Sequence, residues 1–213
     1  MINSMRGNKV LILAPHTDDG EFGCGATIAR FIEEGAEVYY AAFSSAEESV
    51  PEGFPKNILE KEVKEATKIL SIKPNNLLLY KYRVRRFAQY RQEILEDLVR
   101  LNRELEPDLV FMPSIDDLHQ DHSTIASEGL RAFKTTSILS YEIPWNNMNF
   151  TTHCFVTLEE KHVKIKIEAL HCYKSQMGRN YASSEFIKSL AKTRGIQIGE
   201  KWAEVFEVLR WKI

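Results

Sequence analysis

The stretch from Leu11 to Thr27 reads LILAPHTDDGEFGCGAT, and the rest of the chain is organised around it. Its apolar beginning has the length of a fully buried strand. A short polar segment with one histidine and two aspartates follows, and then a helical pattern with apolar residues on one face. The stretch therefore predicts a strand, a tight loop and a helix. In open α/β sheets, ligands bind at the carboxyl ends of the strands, where this loop lies.

Apolar runs and amphipathic helical patterns alternate along the chain. We expect strands at about 9–15, 38–43, 77–82, 109–113, 138–143, 153–158 and 203–211. We expect helices to about residue 34, at 58–70 and 89–105, from about 123 to 133, and at 161–176 and 184–192. This alternation predicts a parallel, doubly wound sheet with right-handed crossovers. No internal repeat or linker interrupts the pattern, so residues 1–213 are expected to form a single domain.

Composition excludes several classes of protein. A chain of 213 residues with a net charge of −2 has no global field that would recruit nucleic acid. Its three cysteines are far apart and odd in number, which favours a reducing cytoplasm over a disulfide framework. The apolar run near the polar N-terminus is too short for a signal peptide or a membrane span. We therefore expect a soluble, cytoplasmic protein.

A second polar loop, SIDDLHQDHS at 114–123, follows the fourth predicted strand. Three of the six histidines lie in the two loops, at His16, His119 and His122. If the two strands are neighbours, His16, Asp19 and His122 converge on one metal ion. Two imidazoles and one carboxylate leave a position open for water, as in catalytic zinc sites. Such an ion lowers the pKa of water and polarises a carbonyl.

The remaining ionisable groups of the two loops suggest acid–base chemistry. Asp18 is adjacent to the ligand Asp19 and must point elsewhere, which suits a general base. His119 precedes His122 by three residues and is expected to face the same cavity. In its protonated form it would stabilise an oxyanion and donate a proton to a leaving amine. Asp121 is expected to hold the tautomer and the charge of His119.

Each motif taken alone also has a purely structural interpretation. The Asp18-Asp19 pair is typical of a solvated turn or a helix cap. The glycines of Gly23-Cys24-Gly25 would serve a dinucleotide loop or allow close packing of the helix start, and Cys24 is expected to be a small core residue. The two loops together, each following a buried strand, favour a catalytic site.

Both loops resemble signatures of the PIG-L/LmbE-type zinc-dependent N-deacetylases. His16-Thr17-Asp18-Asp19 is similar to their H-P-D-D motif, and His119-Gln120-Asp121-His122 is similar to their H-P-D-H motif. Ser175-Gln176 and Ala203-Glu204-x-Phe206 also resemble features of that family. The resemblance implies a Rossmann-like, three-layer α/β/α sandwich with a mostly parallel sheet. It also implies hydrolysis of an N-acetyl group on an amino sugar.

The resemblance further implies a role for each motif residue. The positions that match the family's zinc ligands are His16, Asp19 and His122. Asp18 matches the general base, His119 the oxyanion stabiliser or acid, and Asp121 the residue that supports it. Zinc is the expected ion, and another divalent ion such as Fe²⁺ is an alternative.

The chain departs from the family pattern at three positions. Thr17 and Gln120 stand where proline is usual. Neither position supplies a ligand, so we expect altered loop stiffness and retained chemistry. Glu21 lies one residue later than the acid of the H-P-D-D-E form and is expected to support the ligands without touching the ion.

Four residues are candidates for binding the substrate. Arg86 and Arg91 follow the third predicted strand and would clamp a phosphate or carboxylate, unless they are simply solvated. Tyr141 and Trp145 would offer a hydrogen bond and a stacking face to a sugar ring, unless they only pack at a strand end. The segments around them resemble family members of surface-polysaccharide and glycoconjugate synthesis, which suggests a nucleotide sugar or a glycan intermediate.

The sequence therefore predicts a metal-dependent hydrolase that removes an N-acetyl group from a small-molecule amino sugar or sugar conjugate. A homo-oligomer is compatible with this prediction. One alternative is a metal-dependent phosphoesterase, which would need more carboxylates to hold two ions. The other is a non-catalytic nucleotide-binding α/β module, which would use the glycines and would have no use for Asp18.

Overall fold

A computed structural model describes residues 7–212 of the chain. The strands are β1 (Lys9–His16), β2 (Glu37–Ser44), β3 (Leu77–Leu79), β4 (Leu109–Pro113), β5 (Ser137–Tyr141), β6 (Cys154–Thr157) and β7 (Ala203–Arg210). The α-helices are α1 (Asp19–Glu33), α2 (Ile58–Ile69), α3 (Arg91–Leu105), α4 (Gln120–Ala132), α5 (Glu160–Leu170) and α6 (Ser184–Ile196). The ends of the predicted domain, residues 1 and 213, lie outside the described range.

The strands form one sheet in the order β3-β2-β1-β4-β5-β7-β6. Strands β1 to β5 pair in parallel, whereas β7 is antiparallel to β5 and β6 is antiparallel to β7. The predicted α/β fold with a mostly parallel sheet is confirmed. Within the described residues, no helix is long and apolar enough to span a bilayer.

Strand β1 lies beside β4 in the middle of the sheet. Val10, Leu11 and Ile12 pair with Leu109, Val110 and Phe111, respectively. Because the two strands are parallel neighbours, the loops that follow them open side by side at one edge of the sheet. The sequence analysis required β1 and β4 to be neighbours for a shared metal site, and the structure meets this requirement.

Alternate side chains of β1 enter two separate cores. Leu11 and Leu13 pack on one face of the sheet with residues of α3 and α4. Val10 and Ile12 pack on the other face with residues of α1, α2, α5 and α6. Every residue of 10–14 is inaccessible to solvent, as expected for a strand covered by helices on both faces.

Several predicted boundaries differ from the structure; for example, β5 ends at Tyr141 rather than at residue 143, and α6 continues to Ile196 rather than ending at residue 192. Strand β3 ends at Leu79 rather than at residue 82. Helix α4 begins at Gln120, because the ring of His119 caps its first turn by accepting a hydrogen bond from the Asp121 N–H. Helix α5 ends at Leu170, and two short 3₁₀ turns, at 174–176 and 180–182, lead to α6. The second motif therefore lies at a helix N-terminus.

Helix α1 is broken at Cys24, whose φ of −146° and ψ of 22° are not helical. The Glu204 carboxylate of β7 accepts hydrogen bonds from the N–H groups of residues 26 and 27, at 3.2 and 2.7 Å. Lys166 of α5 donates to Glu204 and to the carbonyl oxygen of Phe22, both at 2.6 Å. This buried ion pair satisfies the backbone groups that the break leaves without helical partners.

The first turn of α1 packs closely against β5. A Cβ atom at Gly23 would overlap the Tyr141 ring, so only glycine fits at this position. The close approach keeps the beginning of the helix, and the loop before it, against the sheet.

We expect Gly23→Ala to lower the free energy of unfolding by up to about 2 kcal/mol, because overpacking usually costs about 1–3 kcal/mol. The gain in helix propensity offsets at most about 1 kcal/mol of this cost. Urea denaturation measures the change. Gly178→Ala is the control, since a Cβ there meets nothing within 4 Å. Equal stability of the two variants would contradict the packing argument.

Candidate active site

Two neighbouring strand ends bring the first and second motifs together. His16 is the last residue of β1, and Asp19 is the first residue of α1. His122 lies in the first turn of α4, which follows β4. The structure therefore gathers the three predicted metal ligands at the carboxyl edge of the sheet.

The three potential ligand atoms form a nearly equilateral triangle. Asp19 Oδ2 lies 3.2 Å from His16 Nδ1 and 3.1 Å from His122 Nε2. The two histidine nitrogens are 3.3 Å apart. Tetrahedral zinc ligands at roughly 2.0–2.1 Å from the ion are about 3.4 Å apart from one another. The spacing of these atoms therefore fits one small divalent ion.

The far nitrogen of each histidine faces a buried carboxylate. His122 Nδ1 is 2.8 Å from Asp117 Oδ2, and His16 Nε2 is 3.0 Å from Asp121 Oδ2. In the neutral form that binds a metal, each ring donates this N–H to the carboxylate, which leaves the lone pair of the other nitrogen directed at the triangle. Metal-bound histidines are held in this way by carboxylates behind them. The sequence analysis did not single out Asp117, whose only signal was its place in the same loop.

His119 offers a second possible ligand set. One ring nitrogen from each of His16, His119 and His122 lies within 4.8 Å of the others. However, His119 Nδ1 accepts a hydrogen bond from the Asp121 N–H at 3.1 Å. The neutral ring then carries its proton on Nε2, and a protonated nitrogen cannot bind a metal. We therefore assign Asp19, rather than His119, as the third candidate ligand.

The Asp121 carboxylate corrects one prediction. It was expected to hold His119, but it bonds to His16 and accepts hydrogen bonds from the N–H groups of Arg85, at 2.6 Å, and Phe87, at 3.2 Å. The reason is that α4 begins at Gln120, which turns the Asp121 side chain towards the segment before α3. Only the backbone of Asp121 contacts the His119 ring.

The charges of the triangle stabilise one another. Burial opposes the positive charge of His16, but Asp19 and Asp121 raise its pKa to about 9. Burial acts on His122 in the same way, and Asp19 and Asp117 raise its pKa to about 10. Burial opposes the Asp19 carboxylate, whereas the two histidines hold its pKa well below its usual range. The surrounding carboxylates thus favour positive charge at the His16–Asp19–His122 triangle, as a cation site requires.

The surroundings of His119 favour its neutral form. Burial, followed by the charges of His122 and His16, lowers its pKa to about 4. This direction of the pKa shift disfavours the protonated ring that the sequence predicts. A neutral His119 with its proton on Nε2 is a hydrogen-bond donor, but it has no proton to give to a leaving amine.

Asp18 and Glu21 differ in their access to the cleft. Asp18 lines the cleft, and its pKa is raised to about 6 by burial and by the charge of Asp19. Glu21 is inaccessible to solvent, and burial raises its pKa to about 8. Its carboxyl group pairs with the hydroxyls of Tyr40 and Tyr173, both of which also reach the Thr17 carbonyl oxygen. Glu21 thus holds the first motif without facing the cleft.

A cleft of about 370 Å³ opens over these groups. One wall carries the predicted residue Trp145, which stacks on Tyr181 with ring centroids 3.9 Å apart and an interplanar angle of 14°. Phe22 packs edge-on against both rings. Sequence analysis missed Tyr181, because the segment around it has no helical or strand periodicity.

The other three predicted substrate-binding residues lie outside this cleft. Tyr141 is fully buried and donates to the Leu13 carbonyl oxygen at 2.9 Å, so it is a core residue. Arg91 pairs with the buried Glu128 of α4, because α3 and α4 pack side by side. Arg86 is exposed and does not line the cleft, whereas its neighbour Arg85 does.

Comparison with known proteins identifies the family of the chain. Residues 11–133 match the family described as PIG-L: GlcNAc-PI de-N-acetylase, which is more than half of the chain. The chain belongs to the PIG-L family. The matched range includes both motifs and ends at the residue after α4.

Individual relatives match most of the chain. The uncharacterized deacetylase YaiS of Escherichia coli K12 is 30% identical over 172 residues, which cover 78% of this chain and 90% of YaiS. The diacetylchitobiose deacetylase of Thermococcus kodakarensis is 23% identical and covers 92% of this chain, with 81% of its own length matched. The conserved protein TT1542 of Thermus thermophilus superimposes with a TM-score of 0.78 at 25% identity, over 96% of this chain and 95% of that one.

The two possible ligand sets predict different metal contents. We expect His122→Ala and Asp19→Ala to lose the ion, because each removes a corner of the triangle. We expect His119→Ala to keep one ion per chain. Metal analysis after dialysis against metal-free buffer measures the content. Loss of the ion in His119→Ala and its retention in Asp19→Ala would establish the three-histidine set instead.

Glu21 makes stability depend on pH. Its pKa is about 8 when folded and 4.5 when exposed, so between these values only the folded protein keeps the proton. Its contribution to the free energy of unfolding therefore falls as pH rises, by about 1.4 kcal/mol per pH unit. Glu21→Gln mimics the protonated form, so its stability relative to wild type should rise with pH.

Urea denaturation at pH 5.5, 6.5 and 7.5 (about one unit apart, so that each step resolves the slope) tests this expectation. Glu52→Gln, which removes a carboxylate at an exposed position, is the control. A constant difference in stability between Glu21→Gln and wild type across this range would contradict a protonated Glu21.

Proposed function

We propose that this protein is a divalent-metal-dependent hydrolase that removes the acetyl group from an N-acetylated amino sugar or sugar conjugate. The triangle of His16, Asp19 and His122, with Asp18 beside it in the cleft, carries the proposal. The deacetylases among its relatives support the reaction class. A cytoplasmic location stays a prediction of the sequence.

The ion would be held by His16, Asp19 and His122. When bound, zinc or iron(II) supplies Lewis acidity that activates water and polarises an amide carbonyl. The remaining chemistry belongs to side chains of the cleft.

Asp18 is the proposed general base. As a carboxylate in the cleft it accepts a proton from the attacking water while the water oxygen forms a bond to the acetyl carbon. Its raised pKa, about 6, also makes the protonated form a proton donor near neutral pH. Because the neutral form of His119 is favoured, we assign to Asp18 the second transfer too, in which the proton moves to the amine nitrogen as the C–N bond breaks.

His119 is the proposed hydrogen-bond donor to the developing oxyanion. The Asp121 N–H fixes its Nδ1 as an acceptor, and Nε2–H is then available to the substrate. A donor held in place before the reaction stabilises the transition state without a reorganisation cost. This role needs no charge on the ring.

The stacked rings of Trp145 and Tyr181 are the proposed platform for the sugar. Aromatic faces pack against the apolar face of a pyranose, and Trp145 is 38% exposed. The cleft volume, about 370 Å³, lies at the lower end of the range for small-molecule sites. It suits one or two sugar rings rather than a polymer.

Two observations disfavour the alternatives. Within residues 7–212, both possible ligand sets lie at one place, around His16 and His122, and a two-ion phosphoesterase would need a second ion position. The glycines at 23 and 25 face Tyr141 and Lys166, so they serve packing rather than phosphate binding.

Asp18→Asn should retain the ion and lower kcat by about 10²- to 10⁴-fold, the usual contribution of a general base. Release of amine from N,N′-diacetylchitobiose and N-acetylglucosamine measures the rate. Asp116→Asn, an equal change of charge at an exposed position of the second loop, is the control. Near wild-type turnover of Asp18→Asn would place the base elsewhere.

The pH profile gives a second readout of the same group. In the wild type, kcat/KM should rise with pH as Asp18 ionises, with the acid limb at or below pH 6, because a bound cation favours the carboxylate. Asp18→Asn should lose this limb. Failure of the ion-loaded wild type to release amine from any acetylated sugar would contradict the proposed function.

A further inference from the structure

Among the described residues, two arginines line the cleft without a close ion pair, although the charge of Arg179 acts on the Asp18 carboxylate across the cleft. Within residues 7–212, neither Arg85 nor Arg179 has a carboxylate oxygen within 4 Å of its guanidinium, whereas Arg83 pairs with Glu48 nearby. Each of the two guanidiniums instead donates to a neutral hydroxyl. Because the direct hydrogen bonds of these guanidiniums go to neutral groups, each keeps N–H groups available to bind an anion.

Arg85 is fixed in place at the cost of backbone strain. Its φ of 64° is in the left-handed region, which a non-glycine residue adopts at a cost of roughly 1–3 kcal/mol. The Asp121 carboxylate accepts from its N–H at 2.6 Å, and Gln120 Nε2 donates to its carbonyl oxygen at 2.9 Å. Its guanidinium donates to Ser49 Oγ at 2.9 Å. A strained residue that is held from the backbone to the tip of its side chain indicates a function for that side chain.

Arg179 lies at the edge of the aromatic platform. Its guanidinium donates to the Tyr181 hydroxyl and lies 5.7 Å from the centre of that ring. Tyr181 in turn stacks on Trp145. A sugar on this platform therefore has a guanidinium beside it, and a group attached to the sugar comes within its reach.

We propose that Arg85 and Arg179 bind an anionic group, a phosphate or a carboxylate, carried by the N-acetylated sugar. This inference rests on the proposed function. The planar guanidinium matches both anions with paired hydrogen bonds. The acetamide would then lie at the His16–Asp19–His122 triangle, the ring on the Trp145 platform and the anion at the arginines. The substrate class becomes acidic amino sugars rather than neutral ones.

Binding of deacetylated sugars to the ion-loaded protein tests the proposal without turnover. The probes are glucosamine, glucosamine 1-phosphate and 2-amino-2-deoxyglucuronic acid, measured by calorimetry. We expect at least one anionic probe to bind about 10- to 100-fold more tightly than glucosamine, the value of one or two charge-assisted hydrogen bonds. Preference for the phosphate or for the carboxylate identifies which anion the site takes, and either supports the proposal.

We expect Arg85→Gln and Arg179→Gln each to reduce this preference at least several-fold. Arg86→Gln, an equal change of charge next to Arg85 but outside the cleft, should retain it. Equal binding of neutral and anionic probes to the wild type, including no binding of any, would overturn the proposal. So would a preference that survives in both arginine variants.

Kinetics separates this inference from the proposed function. The matching substrates are N-acetylglucosamine and its 1-phosphate, and the readout is the ratio of their kcat/KM values. Amine release with the same kcat/KM from both substrates would retain the deacetylase function and overturn the anion site. Arginine-dependent binding without amine release from any acetylated sugar would retain the anion site and contradict the deacetylase function.

Discussion

The buried carboxylate of Asp121 joins the separate parts of this site. It lies in the first turn of α4 and binds the far nitrogen of His16 at the end of β1. It also accepts hydrogen bonds from the backbone N–H groups of Arg85 and Phe87, which precede α3. A buried charge is tolerated when several partners satisfy it, and these three partners come from distant parts of the chain. The orientation of His16 and the strained conformation of Arg85 thus depend on the same side chain.

This shared dependence links the two ends of the cleft. His16 belongs to the triangle that fits an ion, whereas the Arg85 side chain extends towards Ser49 on another wall. Movement of Asp121 would disturb both together. Under the proposed function, this arrangement would keep the ion, the reacting amide and the far end of a substrate at set distances, which productive orientation requires.

A second support comes from the antiparallel end of the sheet. Glu204 of β7 and Lys166 of α5 satisfy the backbone where α1 breaks at Cys24. The break separates the beginning of the helix, which carries Asp19, from the longer helical part that follows Cys24. The C-terminal motif that contains Glu204 therefore acts on the first motif through the backbone, although it supplies nothing to the cleft itself. Removal of one partner would leave a buried charge unpaired.

The sequence by itself determined the α/β alternation, the two polar loops and the residues from which the ligand triangle is built. These features are readable because strand and helix periodicities are local, and because parallel strands end at the same edge of a sheet. Only the tertiary structure decided that Asp121 binds His16, that Tyr141 is a core residue and that Arg85 rather than Arg86 lines the cleft. The direction in which each of these side chains points depends on the local backbone conformation and on partners far along the chain. His16 and Asp121 are 105 residues apart, and no local pattern encodes their contact.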